Sequence, residues 1–196
     1  GGARSVEVVP SGRALALVLI AGACRKSTVS VSPPPDSAGS TELSQPLARP
    51  WTGPHGGVPP FDRVTVDQLR PAMEEAMAVY RQEVTAIADA PDPPTFENTI
   101  VALEDAGRAW TRVDQVYDAW SNLMNTPEFA PVEEELSPLL SAFFSELGAN
   151  ARLSDRIAAV YRSPEAAGLN LEQQRLLGLY YTDSLLTGAT LDDAGK

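Results

Sequence analysis

The side chains in this sequence that can hold a metal ion or attack a carbonyl are few, and their spacing narrows the chemistry further. Its 196 residues include one histidine, His55, and one cysteine, Cys24. A hydrolytic zinc ion needs three protein ligands, usually two imidazoles and a carboxylate, with a fourth position left open to water. The helical version places two histidines at i and i+4. A single imidazole cannot assemble that set, and His55, between Pro54 and Gly56, reads as a loop residue. A cysteine nucleophile needs a base beside it, whereas Cys24 stands at the end of an apolar run. Neither a Gly-x-Ser-x-Gly elbow nor a glycine-rich phosphate loop occurs. The runs Glu74-Glu75, Glu133-Glu134-Glu135 and Asp192-Asp193 offer carboxylates for acid–base work or calcium. Neighbours on a helix point in different directions, however, so they read as solvated faces. Trp51, Trp110, Tyr117 and Trp120 are aromatic enough to line a groove, but their helical spacing reads as core. No catalytic, cofactor-binding or metal-binding residue is assigned from the residues alone.

The one candidate modification site is Cys24. Arg4 and Arg13 precede an uncharged apolar run, Ala14 to Ala23. That run is too short to span a bilayer, which takes about 20 residues, and suits the core of a signal peptide. It ends Ile20-Ala21-Gly22-Ala23-Cys24, which resembles a bacterial lipobox, with Cys24 as the lipid attachment site. Residues 1–24 are therefore expected to be a lipoprotein-type signal peptide, directing export to the periplasm or cell envelope and a membrane anchor. A lone cysteine also rules out an internal disulfide. Residues 25–48, rich in Ser and Pro, read as a disordered tether. Residues 49–64 read as an extended arm that Trp51 and Phe61 pin to a folded body. Charge divides unevenly along the chain. Residues 1–60 carry five basic and three acidic side chains, a net of +2, and residues 61–196 carry ten and twenty-three, a net of −13. So acidic a body has no footprint for nucleic acid, which needs clustered Lys and Arg.

What must position any functional residue is an all-α body over 65–196. From Thr65 the apolar residues recur at helical spacing: Val66, Leu69, Met73, Ala76, Tyr80, Val84 and Ile87. Thr65 and Gln68 form a capping-box pair, and Pro71 either starts the helix or follows a first kinked turn. The prolines of 89–94 end it. Thr95 then caps a second helix with Glu97 in its first turn, whose stripe runs Ile100, Leu103, Trp110, Val113, Tyr117, Trp120 and Met124. Gly107, inside that stripe, predicts close approach by a neighbouring helix. A third helix begins with Thr126 as cap and Pro127 at its first position, and buries Val132, Leu136, Leu139, Leu140, Phe143 and Leu147. A fourth carries Leu153, Ile157, Val160 and Tyr161. A fifth starts at Asn170 with Gln173 and ends at Gly188. Short loops imply long antiparallel neighbours.

The stretch "PTFENTIVALEDAG", together with Phe61 and "LRPAMEEAM" from Leu69 to Met77, resembles the N-terminal region of the thimet-oligopeptidase family of zinc metallopeptidases, in its peptidyl-dipeptidase and oligopeptidase A branch. "NLMNTPEF", "LSPLLSAFFSEL" and "LNLEQQRLLGLYYTDSLLTGATL" continue the likeness, which spans roughly residues 45–196. The resemblance implies a large two-lobed helical protein around a deep channel, cleaving short peptides. It implies a zinc site in the later lobe, on an H-E-x-x-H helix with a further glutamate, and N-terminal helices that wall the channel. No such motif occurs up to Lys196, so none of the family's catalytic or metal residues maps onto a position of this sequence. The expectation is an N-terminal fragment, truncated at its C-terminal end and inactive alone, whose partners are peptide substrates and a missing catalytic lobe. The alternative is a stand-alone helical lipoprotein that binds peptides or a protein partner without catalysis.

Overall fold

A computed structural model of the chain describes residues 43–53, 57–124 and 126–187. Cys24, His55, Gly188 and the Asp192-Asp193 pair lie outside the described residues. Among the described residues all regular secondary structure is helical, as the apolar periodicity predicts.

Helix α1, Val66–Ala88, is the spine. Gln68 Oε1 accepts the Thr65 N–H at 3.2 Å, satisfying one of the donors that a helix start leaves over. Pro71 is inside α1 and does not start it. As the sixth residue of α1 it forgoes the bond to the Asp67 carbonyl, and the helix nevertheless continues past it.

After the proline loop the chain re-enters helix through a π-helical turn, Phe96–Val101, which runs into the short helix α2, Ala102–Asp105. The spacing predicts one helix from here to Met124; the structure breaks it at Gly107. That residue takes φ +72°, the left-handed region, and helix α3, Arg108–Ala119, starts anew beyond it. Glycine is required here twice over. It reaches positive φ without steric cost, and a Cβ at this position would stand 3.0 Å from the Tyr80 ring on α1. The close approach expected of Gly107 is thus real, although the uninterrupted helix is not. A second π-helical turn, Trp120–Met124, follows α3.

Helix α4, Ala130–Gly148, begins a few residues later than a Thr126 cap predicts, with Pro131 in its first turn. The intervening turn seats Phe129 fully inside the protein. Helix α5, Ala151–Tyr161, is capped by Asn150, whose Oδ1 accepts the Leu153 N–H at 3.0 Å. A 3-10 turn, Pro164–Gly168, leads to helix α6, Leu171–Leu186. Asn170 and Gln173 close a reciprocal box at its start, at 2.9 and 3.1 Å.

Two apolar cores lie along α1. The first joins Leu69, Met73 and Met77 of α1 to Val113, Val116 and Tyr117 of α3 and to Leu136 and Phe143 of α4. The second joins Val84 to Phe96, Ile100, Leu103, Ile157, Val160 and Leu177, from the π-turn and α2, α5 and α6. Tyr80 and Leu147 border both. The arm that closes the first core begins earlier than composition indicates. Residues 43–48, which their Ser/Pro-rich context assigns to a tether, pack onto the body, with Leu47 1% and Ala48 0% exposed. Arg112 Nε on α3 donates to the Ala48 carbonyl at 2.9 Å, and the Glu75 carboxylate accepts the Ser44 and Gln45 N–H groups at 2.7 and 2.8 Å.

Candidate functional site

Asn98 and Arg156 organise the densest polar constellation among the described residues, at the corner opened by "PTFEN". Thr95 Oγ1 accepts the Asn98 N–H at 3.1 Å, and Asn98 Oδ1 accepts the Thr95 N–H at 2.8 Å, so cap and third residue satisfy each other. The same Oδ1 also accepts from Thr99 Oγ1 at 3.0 Å and from Arg156 Nη2 at 3.1 Å. Asn98 Nδ2 donates back to the Pro93 carbonyl at 2.9 Å. Arg156 Nη1 donates to the carbonyls of Ala90 and Asp92 at 2.8 and 3.1 Å. The guanidinium is thus buried, 7% exposed, on oxygens that carry no formal charge. Its planar fork spans loop and helix start at once, which a single ammonium would not. The constellation fixes backbone and offers no nucleophile. Sequence reasoning missed both Asn98 and Arg156 as positioning residues.

The carboxylate runs are divided among separate structural tasks. Glu74 pairs with Arg70 at 3.0 Å, and Glu135 pairs with the same arginine from α4. Glu133 accepts from Ser121 Oγ at 2.7 Å. Burial pushes the Glu75 carboxyl up, but the Gln45 and Ser44 donors outweigh it and hold the group below its ordinary range. Near the Gly107 break, Tyr180 Oη donates to Glu104 Oε1 at 2.7 Å, and Glu83 Oε2 accepts the Gly107 N–H at 2.7 Å. Burial first, then the Glu104 hydrogen bond and charge, push the Tyr180 phenol far up. Burial and the charges of Glu83 and Glu104 raise Tyr80 as well.

The aromatic residues behave as core. Trp110 packs on Phe143 at 5.2 Å and edge-on to Phe144 at 5.4 Å, and Tyr117 meets Phe129 at 5.4 Å. Trp120 is buried beneath Phe61, the rings stacked 6.2 Å apart. Trp51 is half-buried against the first core. Trp120 also floors a shallow groove of about 560 Å³, walled by Val64, Val66, Met124 and Val132. Another shallow depression, about 450 Å³, runs along α1 past Arg81 and Asp89. Its charges are engaged: Arg81 pairs with Glu146 at 2.7 Å and lies over the Phe143 ring, and Asp89 pairs with Arg152 at 2.6 Å.

Among the described residues no group of three His, Cys, Asp or Glu side chains converges as a metal site, and neither His55 nor Cys24 is among them. These residues do not fit a catalytic zinc ion, whose soft and imidazole ligands are the ones lacking here.

No family model matches the chain. Curated proteins do. It is 35% identical over 147 residues to the dipeptidyl carboxypeptidase of Escherichia coli K12, covering 75% of this chain and 21% of that protein. It is 33% identical over 138 residues to the dipeptidyl carboxypeptidase of Salmonella typhimurium, covering 70% of this chain and 20% of that one. It is 26% identical over 141 residues to oligopeptidase A of Haemophilus influenzae, again 70% and 20%. The chain therefore spans about a fifth of the length of the curated relatives it matches. Over the residues so matched, in an all-helical body, the chain belongs to the thimet-oligopeptidase family, together with the dipeptidyl carboxypeptidases and oligopeptidases A.

Proposed function

We propose that this chain forms the N-terminal helical region of a zinc-dependent oligopeptidase that hydrolyses short peptides, walling its substrate channel and supplying no catalytic group. The observation that carries this reading is the 35% identity to a dipeptidyl carboxypeptidase, sustained over three quarters of the chain. The described surface supports a wall: the depressions along α1 and beside Trp120 are shallow, and Arg70, Glu74 and Arg81 of α1 are tied into ion pairs. The proposal assigns the zinc and its imidazole and glutamate ligands to a second lobe of the same protein. There the ion would polarise the scissile carbonyl and a bound water. The partners are then peptides and that lobe. The basic start, the apolar run and Cys24 support export and lipid anchoring at the bacterial envelope.

The test is to express the gene with whatever coding sequence follows Lys196 and to assay a short peptide with and without a chelator. Hydrolysis that the chelator abolishes and zinc restores is expected. The 196-residue chain by itself should neither cleave the peptide nor bind zinc stoichiometrically, and either result from that chain overturns the assignment. Mass spectrometry of the mature N-terminus should find an acylated Cys24 as the first residue. An unmodified N-terminus elsewhere removes the lipid anchor from the reading.

A further inference from the structure

Helices α5 and α6 bring two tyrosines face to face. Tyr161 is the last residue of α5 and Tyr181 stands well inside α6. Their ring centroids are 4.1 Å apart and the rings lie within 8° of parallel. Aromatic pairs favour an offset or an edge-on approach, with centroids about 4.5–7 Å apart, because the negative faces repel. The packing of the helices therefore imposes the stack. Arg162 adds a polar contact: its Nη2 donates to Tyr181 Oη at 3.3 Å, and its guanidinium lies 5.9 Å from the centre of the same ring. Tyr161 is 45% exposed, so reagents in solution reach the pair. The other three tyrosines of the chain are placed differently. Tyr80 and Tyr117 lie against phenylalanine rings, and the Tyr180 hydroxyl donates to Glu104.

We propose that Tyr161 and Tyr181 form an oxidative modification site, at which a one-electron oxidant joins the two rings into a dityrosine that fastens α5 to α6. This is independent of the peptidase reading. The bond-forming step suits a stack. Each phenol gives one electron to the oxidant and its hydroxyl proton to water, leaving a phenoxyl radical with spin on the ring carbons beside the oxygen. Two such radicals couple through their faces, because the new carbon–carbon bond forms along the normal to each ring. Parallel rings this close hold carbons of one above the other at about 3.5–4 Å, the separation of atoms in contact. No diffusive encounter is then needed. The hydrogen on each newly bonded carbon leaves as a proton while a proton returns to each oxygen, which restores both aromatic rings. Overall two hydrogen atoms leave the protein, and one hydrogen peroxide, acting through a peroxidase, takes them up as two molecules of water. Tyr161, half-exposed at the end of its helix, has room to turn as the rings swing from stacked to edge-joined. The product closes the chain from 161 to 181 into a covalent loop.

The experiment treats the 196-residue chain, kept dilute, with a peroxidase and hydrogen peroxide, and reads dityrosine fluorescence and the masses of proteolytic peptides. A monomeric product lighter by two hydrogens, with the peptides of Tyr161 and Tyr181 joined, is expected. Tyr161→Phe and Tyr181→Phe should each abolish the fluorescence. Unfolding the chain in urea before oxidation should cut the yield of this link by about tenfold or more, since the rings are then no longer held together. The linked chain should melt about 5 °C higher, because a cross-link restricts the unfolded state. A link between two copies, a link through another tyrosine, a hydroxylated Tyr161 without a link, or an equal yield from the unfolded chain overturns the proposal. A linked chain that melts no higher overturns the fastening of α5 to α6.

Discussion

The two ends of α1 face interiors of different kinds. Toward its N-terminus the core is rich in rings, with Trp110 and Phe143 in contact and the exposed Phe144 against both, and the arm seals it with Leu47, Ala48 and Val64. Toward its C-terminus the core is mostly aliphatic, and Arg156 runs beside it to fix the proline loop and the Thr95 corner. The first interior is held by contact area, which is non-directional and adapts to changes of shape. The second adds hydrogen bonds whose geometry admits one arrangement of the corner. Substitutions in the two should therefore fail differently. In the ring-rich core loss should scale with volume removed, and at the corner with donors removed.

The largest expected effect tests the first half of that statement. Phe143 is fully buried and touches Tyr80, Trp110 and Phe144. Phe143→Ala should cost about 4 kcal/mol, seen as a lower midpoint in urea with an unchanged slope. Phe143→Leu should recover more than half of it. Arg156 tests the second half. Arg156→Ala removes three donated hydrogen bonds, to the Ala90 and Asp92 carbonyls and to Asn98 Oδ1, a loss of about 3 kcal/mol. Here the conservative change should rescue little, because Lys cannot reproduce the fork. Amide exchange should rise across 90–98 in Arg156→Lys and stay slow at Val113 in the other core. If Lys restores full protection, the corner is held by charge alone and the contrast between the cores is wrong.

Gly107 sits where the two regions meet, and its substitution has a smaller, separable cost. Gly107→Ala must take φ +72° with a side chain, worth about 1–2 kcal/mol, and must also displace the Tyr80 ring. Pairing it with Tyr80→Ala removes the second cost and leaves the first. The double variant should therefore be more stable than the sum of the singles implies, by about 1 kcal/mol. Strict additivity would mean that the ring moves aside freely.

These sites differ in how far the residues announce them. Thr95, Asn170 and the apolar stripes act within a few positions of themselves, so local pattern suffices, and the helices of α1, α5 and α6 fall close to where the spacing puts them. Gly107 was half legible. A glycine in a stripe signals close approach, but the same lack of Cβ also permits the left-handed break, and only the Tyr80 contact together with φ shows both. Leu47 and Phe129 were hidden by their surroundings, one in Ser/Pro-rich sequence and one in a turn, where burial follows from what the rest of the chain brings over them. Arg156 was not legible. A charged residue beside Ile157 looks like the polar face of α5, and its carbonyl partners lie more than sixty positions away. Contacts that remote leave no period in the sequence. The family likeness was legible because it rests above all on a local stretch, 94–107, the same one that carries the Thr95 corner.

Acid and alkali should part the two regions, with the smallest effects of the set. Glu75 fastens the arm over the first core, and its ionised form is favoured by folding, below the ordinary value of 4.5. Its contribution is complete above that value and disappears as pH falls through the lower folded one. Tyr180 and Tyr80 lie at the second core, and folding favours their neutral forms. Their contribution is complete below the ordinary value of 10.0 and is lost as pH rises beyond it. Glu75→Gln should flatten the acid limb of a stability–pH profile and leave the alkaline limb alone. Tyr180→Phe, which removes the bond to Glu104, should do the opposite. Amide exchange at Leu47 and Ala48 should respond to the acid limb, and at Leu177 to the alkaline one. If both limbs quicken exchange at both places, the cores unfold as one unit and Tyr80, which borders each, couples them more tightly than their separate chemistry implies.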